Sequence, residues 1–197
     1  MFINRSVNRK CFGFEIPTTA FFALNALWVI ILGPILSWIY NHLGRKNKDV
    51  SISFKFAFGL GVTSLCFFTL YLGGHFANSA ALISPFWVVL AYLFYTLGEM
   101  LVSALGNAMV TRVAPKRLYG VMMGTMFFVG MSLSAILSGA IANTANIPAS
   151  IQDAAAILNI YTSAFFKIGA VSLIFVAVAF LVSPFINRML DKSNTEG

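Results

Sequence analysis

Charged residues are scarce in this sequence. Only six of its 197 residues are Asp or Glu, and charged residues of both signs make up 10%, whereas soluble domains carry about 25%. Hydrophobic residues make up 59% of the chain, and the mean hydropathy is +0.85. This composition excludes an ordinary soluble domain and indicates an all-α integral membrane protein that crosses the bilayer several times.

Signatures of metal sites, disulfide frameworks and common enzymes are also missing. Cys11 and Cys66 are far apart, with no CxxC or Cys/His spacing around them, so neither a disulfide framework nor a metal site is predicted. The sequence contains no HExxH, GxSxG or Walker motif, and we therefore expect neither an enzyme nor a bound cofactor. The net charge of +7 arises from short clusters between apolar runs, which is typical of membrane topology signals and not of a nucleic-acid partner.

Five apolar runs are long enough to cross about 30 Å of hydrocarbon as helices. They cover residues 17–41, 54–72, 85–111, 118–143 and 164–186. We predict a single membrane domain over residues 17–190, with an external flank at 1–16 and a cytoplasmic tail at 191–197. Pro34 lies inside the first run and predicts a kink there. Lys167 is close to the start of the fifth run, from which its amine can reach the external interface.

The basic residues after the first run fall mostly in two loops and the tail, at Arg45, Lys46, Lys48, Arg112, Lys116, Arg117, Arg188 and Lys192. The other two connections carry no charge or only Asp153. The positive-inside rule then places the basic loops and the C-terminus in the cytoplasm, and the N-terminus outside. The first ten residues nevertheless contain Arg5, Arg9 and Lys10. This conflict, with the odd number of spans, predicts that the chain is a piece of a longer protein.

Glu99 is a lone carboxylate near the middle of the third predicted span. An ionised carboxylate at that depth costs at least about 2.5 kcal/mol, so we expect it to face protein or water. Polar and small residues lie on the same side of a helix as Glu99, at Tyr92, Tyr95, Thr96, Ser103, Gly106 and Asn107. Such a stripe is typical of a transport pathway or proton relay. The alternative is a structural role, in which Glu99 is hydrogen-bonded to a neighbouring helix, and Asn25 in the first span is equally open to both interpretations.

Three segments resemble one known family. They are "FGFEIPTTAFFALNALWVIILGPILSWIYNHLGR", "KFAFGLG" and "YTLGEMLVSALGNAMVTRVAPKRLYGVMMGTMFF". Together they resemble the C-terminal part of the proton-dependent oligopeptide transporters of the major facilitator superfamily. The most specific part is Gly-Glu-x-x-x-Ser followed by Ala-Pro-x-Arg and Gly-x-Met-Met-Gly. The resemblance implies that the five spans correspond to helices 8 to 12, an incomplete C-terminal bundle.

The resemblance also implies a substrate site. In this family the glutamate of the Gly-Glu motif contacts the amino terminus of a bound peptide, and Glu99 occupies that position. Asn25 matches an Asn that contacts the same amine, although Ala26 replaces the Pro that follows in the family. Ser103 is expected to line the same cavity, while Met126 stands where the family commonly has Trp.

The function implied is part of a proton-coupled di- or tripeptide symporter in a bacterial cytoplasmic membrane, with the proton as coupling ion and no other cofactor. The chain would provide the pocket for the peptide amino terminus and would be incomplete alone. Either a separate chain carries the missing N-terminal helices, or the chain is an inactive truncated remnant. The competing hypothesis is a non-transporting helix bundle in which Glu99 and Asn25 are structural. The partners expected are therefore a short peptide, the lipid bilayer and the missing helices.

Overall fold

The computed structural model describes residues 2–11, 14–45, 52–115, 117–144, 147, 151 and 153–195. Within these residues the chain forms six helices and one two-stranded antiparallel hairpin. In chain order they are α1 (Phe2–Ser6), β1 (Lys10–Cys11), β2 (Phe14–Glu15), α2 (Thr18–Arg45), α3 (Ile52–His75), α4 (Pro85–Val113), α5 (Tyr119–Thr144) and α6 (Ala154–Thr195). The loop residues Lys46, Lys48 and Lys116, on which the predicted topology partly depends, lie outside the described residues.

The five helices α2 to α6 are each long and apolar enough to cross a membrane. Their apolar stretches are Thr18–His42, Ser53–His75, Pro85–Ala104, Tyr119–Asn143 and Ala154–Phe185. The all-α membrane fold predicted from hydropathy is thus confirmed. Helix α2 continues through Pro34. Helix α4 begins at Pro85, where the missing amide is harmless, and the Ser84 hydroxyl accepts a hydrogen bond from the amide of Phe86.

Helix α6 begins at Ala154, ten residues before the run predicted from hydropathy. The Asp153 carboxylate caps its first turn, because it accepts hydrogen bonds from the amides of Ala155 and Ala156 at 3.4 and 3.1 Å. Three alanines then provide strong helix formers. Lys167 consequently lies well inside α6, with an exposed side chain, and not at the start of the helix.

Helix α3 lies between α4 and α6, and glycines allow the close approach. A Cβ added to Gly59 would lie 2.9 Å from Cβ of Leu101, and one added to Gly98 would lie 2.8 Å from the backbone nitrogen of Thr63. On the other side of α3, a Cβ at Gly169 of α6 would lie 3.1 Å from the ring of Phe68. Small residues at such contacts are typical of helix packing in membranes, where backbones must approach closely.

The segment before α2 packs against the end of the bundle at which α2 and α4 begin. The backbone carbonyl of Ser6 accepts a hydrogen bond from the amide of Ile83 at 2.8 Å, and Val7 is buried with Phe21 and Val88. The Phe2 ring lies edge-on to Tyr161 and Phe165 of α6, at centroid distances of 5.2 and 4.9 Å. Arg9 and Glu15 close the hairpin with an ion pair at 2.6 Å.

Helix α5 is the least covered of the long helices. None of its described side chains is buried, and its packing neighbour is α4. The Cε atom of Met126 lies 3.2 Å from the position of a Cβ at Gly106. Much of the apolar surface of α5 is therefore left to lipid or to other protein.

Candidate functional site

Glu99 and Asn25 meet between α4 and α2. The side-chain nitrogen of Asn25 donates a hydrogen bond to Oε2 of Glu99 over 3.2 Å. The two residues are separated by 74 positions in the sequence, so the pair depends on the docking of the two helices. Two residues singled out by the sequence thus form one polar pair.

Thr96 fixes the other side of the Asn25 amide. Its hydroxyl donates a hydrogen bond to Oδ1 of Asn25 over 3.0 Å, and the residue is fully buried. Thr96 lies one helical turn before Glu99 on the same side of α4. The Asn25 side chain is therefore held at both its oxygen and its nitrogen, with the nitrogen directed at Glu99.

Local packing explains why α2 and α4 bring these residues together. Trp28 lies one turn after Asn25 on α2, and its indole nitrogen donates to the carbonyl of Val89 over 3.3 Å. On α4, Gly98 lies close to α3, because a Cβ added to it would be only 2.8 Å from the backbone nitrogen of Thr63. Glu99 is the next residue and is turned by about 100° around the helix axis, so its carboxylate is directed toward α2 and not into the α3 contact.

The Glu99 carboxylate has an amide donor but no cationic partner in the described part of the chain, where the recorded ion pair joins Arg9 and Glu15. The Glu99 side chain is exposed on the face of the bundle. One of its oxygens is held by Asn25, and the other is open to a further donor. An arrangement of this kind can accept a hydrogen bond from a ligand cation such as an ammonium group.

A cavity of about 800 Å³ adjoins this polar pair. Asn25 and Tyr95 line it, together with Tyr92, Phe22 and the α1 residues Phe2, Ile3 and Asn4. Glu99 is not among its lining residues, so the polar network borders the cavity through Asn25. The cavity has room for a small organic molecule, since ligand pockets commonly measure about 300–1,000 Å³.

The remaining predicted residues lie at different places. Ser103 is exposed on α4, one turn beyond Glu99, and stands apart from the hydrogen bonds that join Asn25, Thr96 and Glu99. Met126 contacts α4 at Gly106, two turns from Glu99 on the same side of that helix. The periodicity of α4 predicts Thr96 on the polar stripe, three residues before Glu99, but this spacing alone does not reveal that Thr96 orients Asn25. Among the described residues, no group of three His, Cys, Asp or Glu side chains could hold a metal ion.

The fold and this site define a polytopic α-helical membrane protein with a polar pair at an open face of its bundle. A model of the POT family (PTR2) matches residues 1–160, and the chain belongs to that family. Dipeptide and tripeptide permease B of Salmonella typhimurium is 40% identical over 195 residues, which are 99% of this chain and 40% of that protein. The permease B of Yersinia enterocolitica is likewise 40% identical over 196 residues.

Solved structures give the same result. Tetrameric PepTSo2 matches with a TM-score of 0.74 and 34% identity, over 95% of this chain and 38% of that one. A structure of a proton dependent oligopeptide transporter matches with a TM-score of 0.75 and 35% identity, over the same shares. The family is one of transporters, and the chain spans about 40% of the length of the curated relatives that it matches.

Proposed function

We propose that the chain is part of a proton-coupled symporter for di- and tripeptides and provides the pocket for the peptide amino terminus. In this proposal Glu99 accepts a hydrogen bond from the peptide ammonium, Asn25 orients Glu99, and Ser103 lines the pocket one turn away. The observation that carries the proposal is the Asn25–Glu99 hydrogen bond of 3.2 Å. It holds one carboxylate oxygen and leaves the other for a ligand.

The physical reason is the cost of moving an ammonium group out of water. A charge in a low-dielectric cavity is tolerated only when an opposite charge or several dipoles face it. Glu99 meets this need for the amino end of a peptide. It also argues against an anionic substrate, which a carboxylate would repel. The peptide carboxylate needs cationic groups that we assign to the rest of the transporter.

The proposal includes completion by further helices. Alternating access requires two bundles that move around a site between them, and α2 to α6 make up at most one. The uncovered face of α5 and the exposure of Glu99 agree with an additional protein layer. We propose that a separate chain, or a further segment of a longer one, supplies it and the groups that couple transport to protons. No enzyme activity or bound cofactor is part of the proposal.

We further propose that the protein lies in a bacterial cytoplasmic membrane with residues 1–16 outside and residues 191–197 in the cytoplasm. The support is the distribution of Lys and Arg in the sequence. Attaching a reporter enzyme after Gly197 tests the orientation. We expect a reporter that works only in the cytoplasm to be active at this position. If that reporter is inactive and a reporter that works only in the periplasm is active, the C-terminus is outside and the assignment is reversed.

A second candidate function is a non-transporting helix bundle. It is favoured by the same network, because Thr96, Asn25 and Glu99 join α2 to α4 through two hydrogen bonds. Glu99→Gln separates the two hypotheses, since a Gln oxygen can still accept from Asn25 while the charge is lost. A structural role survives this change, and an ammonium-binding role does not.

The experiment joins this chain to the portion of the Salmonella typhimurium relative that it does not match, and measures uptake of a labelled dipeptide into vesicles under a proton gradient. We expect Glu99→Gln to lower uptake about ten-fold or more, because a hydrogen bond between charged groups contributes about 1.5–3 kcal/mol. Glu15→Gln in the hairpin is the matched control and should leave uptake unchanged. Full uptake by the Glu99→Gln protein would favour the structural role.

A further inference from the structure

Tyr95 lies one helical turn before Glu99 on the same side of α4. Of the four residues in that turn, Tyr95 and Thr96 carry side-chain hydroxyls. Thr96 is buried, and its hydroxyl is already bonded to Asn25. Tyr95 is exposed and lines the cavity beside Asn25. Its hydroxyl is therefore the polar group of this turn that a ligand can reach.

The Tyr95 hydroxyl has no hydrogen-bond partner within the part of the chain that the structure describes. Its ring packs edge-on against the ring of Tyr92, at a centroid distance of 6.4 Å. A tyrosine hydroxyl can both donate and accept a hydrogen bond. The ring is thus positioned by an aromatic contact, while the hydroxyl is left for a ligand.

Tyr95 and Glu99 are neighbours that do not bond to each other. Side chains four residues apart on a helix have about 5–6 Å between their Cβ atoms, and the charge of Glu99 acts on the Tyr95 hydroxyl. Both residues are described, and no hydrogen bond joins their side chains. The Glu99 side chain leans toward Tyr95, because the Cα–Cβ bonds of a helix tilt toward its N-terminus. A donor bound to the open Glu99 oxygen therefore lies within reach of the Tyr95 hydroxyl.

A primary ammonium group needs more than one acceptor when it leaves water. It carries three N–H donors, and an N–H group that is buried without a partner destabilises the complex. The open oxygen of Glu99 can accept one of them, whereas Asn25 presents an N–H donor to the other oxygen. A neutral hydroxyl oxygen beside the carboxylate can accept a second N–H without adding charge to the site.

We propose that Tyr95 is a further substrate-binding residue, whose hydroxyl accepts a second hydrogen bond from the ammonium group that binds Glu99. This role rests on the proposed function, because it requires an ammonium group at Glu99. A primary ammonium group bridges Glu99 and Tyr95 with two of its N–H groups. A dimethylated amino terminus keeps the charge but has a single N–H, which Glu99 takes, so Tyr95 selects for an unmodified amino terminus.

The test uses the completed transporter, in which this chain is joined to the unmatched portion of the Salmonella typhimurium relative. Dialanine and its N,N-dimethylated form compete separately against uptake of a labelled dipeptide. We expect Tyr95→Phe to weaken binding of dialanine about ten-fold, because a hydrogen bond to a charged group is lost. Binding of the dimethylated peptide should change little. The ratio of the two affinities is informative, since a general structural defect would weaken both peptides.

Tyr119→Phe is the matched control. Tyr119 lies on α5, and its side chain and that of Tyr95 are each 38% exposed, so an equally exposed hydroxyl is removed from another helix. This variant should keep the wild-type ratio of affinities. Tyr95→Leu removes the ring as well as the hydroxyl and should lower the ratio at least as much as Tyr95→Phe does.

The proposal is overturned if Tyr95→Phe keeps the wild-type ratio or weakens both peptides equally. It is also overturned if only Tyr95→Leu lowers the ratio, because the ring and not the hydroxyl would then contact the amine. Glu99→Gln distinguishes this failure from failure of the proposed function. If Glu99→Gln weakens dialanine binding and Tyr95→Phe does not, the site for the amino terminus stands without Tyr95. If neither does, the proposed function itself fails.

Discussion

Asn25 of α2 donates a hydrogen bond to Oε2 of Glu99 of α4 over 3.2 Å. The orientation of the Asn25 amide is fixed by Thr96, whose hydroxyl donates a hydrogen bond to Oδ1 of Asn25 over 3.0 Å. This order of donors matters, because it directs an N–H group at the carboxylate and leaves the second carboxylate oxygen open. The hydrogen bonds from the buried Thr96 hydroxyl to Asn25 and from Asn25 to the exposed Glu99 carboxylate therefore set the geometry of the proposed pocket.

Thr96→Val tests the hydrogen bond from Thr96 to Asn25. Valine keeps the shape of threonine but removes the donor, so Oδ1 of Asn25 loses its partner inside the bundle. We expect a loss of about 0.6–2 kcal/mol in the free energy of unfolding, as for hydrogen bonds between membrane helices, and weaker dipeptide uptake by the completed transporter. Unfolding in a denaturing detergent measures the first effect.

The control for that variant is Thr125→Val on α5, where the hydroxyl is exposed and bonds to the carbonyl of Val121 within its own helix. It should change neither stability nor uptake. If Thr96→Val is as harmless as Thr125→Val, Asn25 does not depend on Thr96 for its orientation.

Gly98→Ala tests the contact that directs Glu99 toward α2. A Cβ at Gly98 would meet the side chain of Thr63 and lie 2.9 Å from the backbone oxygen of Gly59, so α3 and α4 must move apart. We expect destabilisation of about 1–3 kcal/mol, the usual cost of overpacking, together with loss of uptake. Thermal unfolding followed by circular dichroism measures the destabilisation.

Gly124→Ala on α5 is the matched control for this change, since nothing lies within 4 Å of the added atom. It should be neutral, or slightly stabilising because Ala forms helix more readily than Gly. Equal unfolding temperatures for the two variants would contradict the close packing of α3 and α4.

Asp153→Ala tests the early start of α6. The variant loses the acceptor for the amides of Ala155 and Ala156, and the expected cost is about 1 kcal/mol, as for other helix caps. Hydrogen exchange of these two amides should accelerate, while exchange in the middle of α6 stays slow. Unchanged protection at Ala155 and Ala156 would show that the cap is dispensable.

Met126→Trp tests the departure from the family. Met126 is 38% exposed and contacts α4 at Gly106, so a larger ring has room and would extend over the face of α4 that carries Glu99. We expect the completed transporter to gain uptake of dipeptides with large apolar side chains, and uptake of dialanine to change less. A uniform loss for all peptides would indicate that the ring does not fit beside Gly106.

Hydropathy predicted the number, order and character of the long helices, because the membrane requires about 20 apolar residues per span. It placed the start of α6 too late, since the stretch before residue 164 is helical through its Asp153 cap and its alanines and not through high hydropathy. The periodicity of α4 put Glu99 and Thr96 on one face. It did not reveal the bond to Asn25, since that contact joins residues 74 positions apart and exists only once α2 has docked.

The exposure of Ser103 likewise could not be predicted from the sequence. Helical periodicity places Ser103 on the same side of α4 as Glu99. It does not show whether the Ser103 side chain has a hydrogen-bond partner.

The central claim is that Glu99 binds the amino terminus of a peptide, and the most direct measurement compares a free dipeptide with its N-acetylated form. In the completed transporter, binding of each is measured as competition against uptake of a labelled dipeptide. The account predicts that the wild-type protein prefers the free ammonium form about ten-fold or more. Glu99→Gln should bring this preference close to one, while Glu15→Gln should keep it. An undiminished preference in the Glu99→Gln protein would contradict the account.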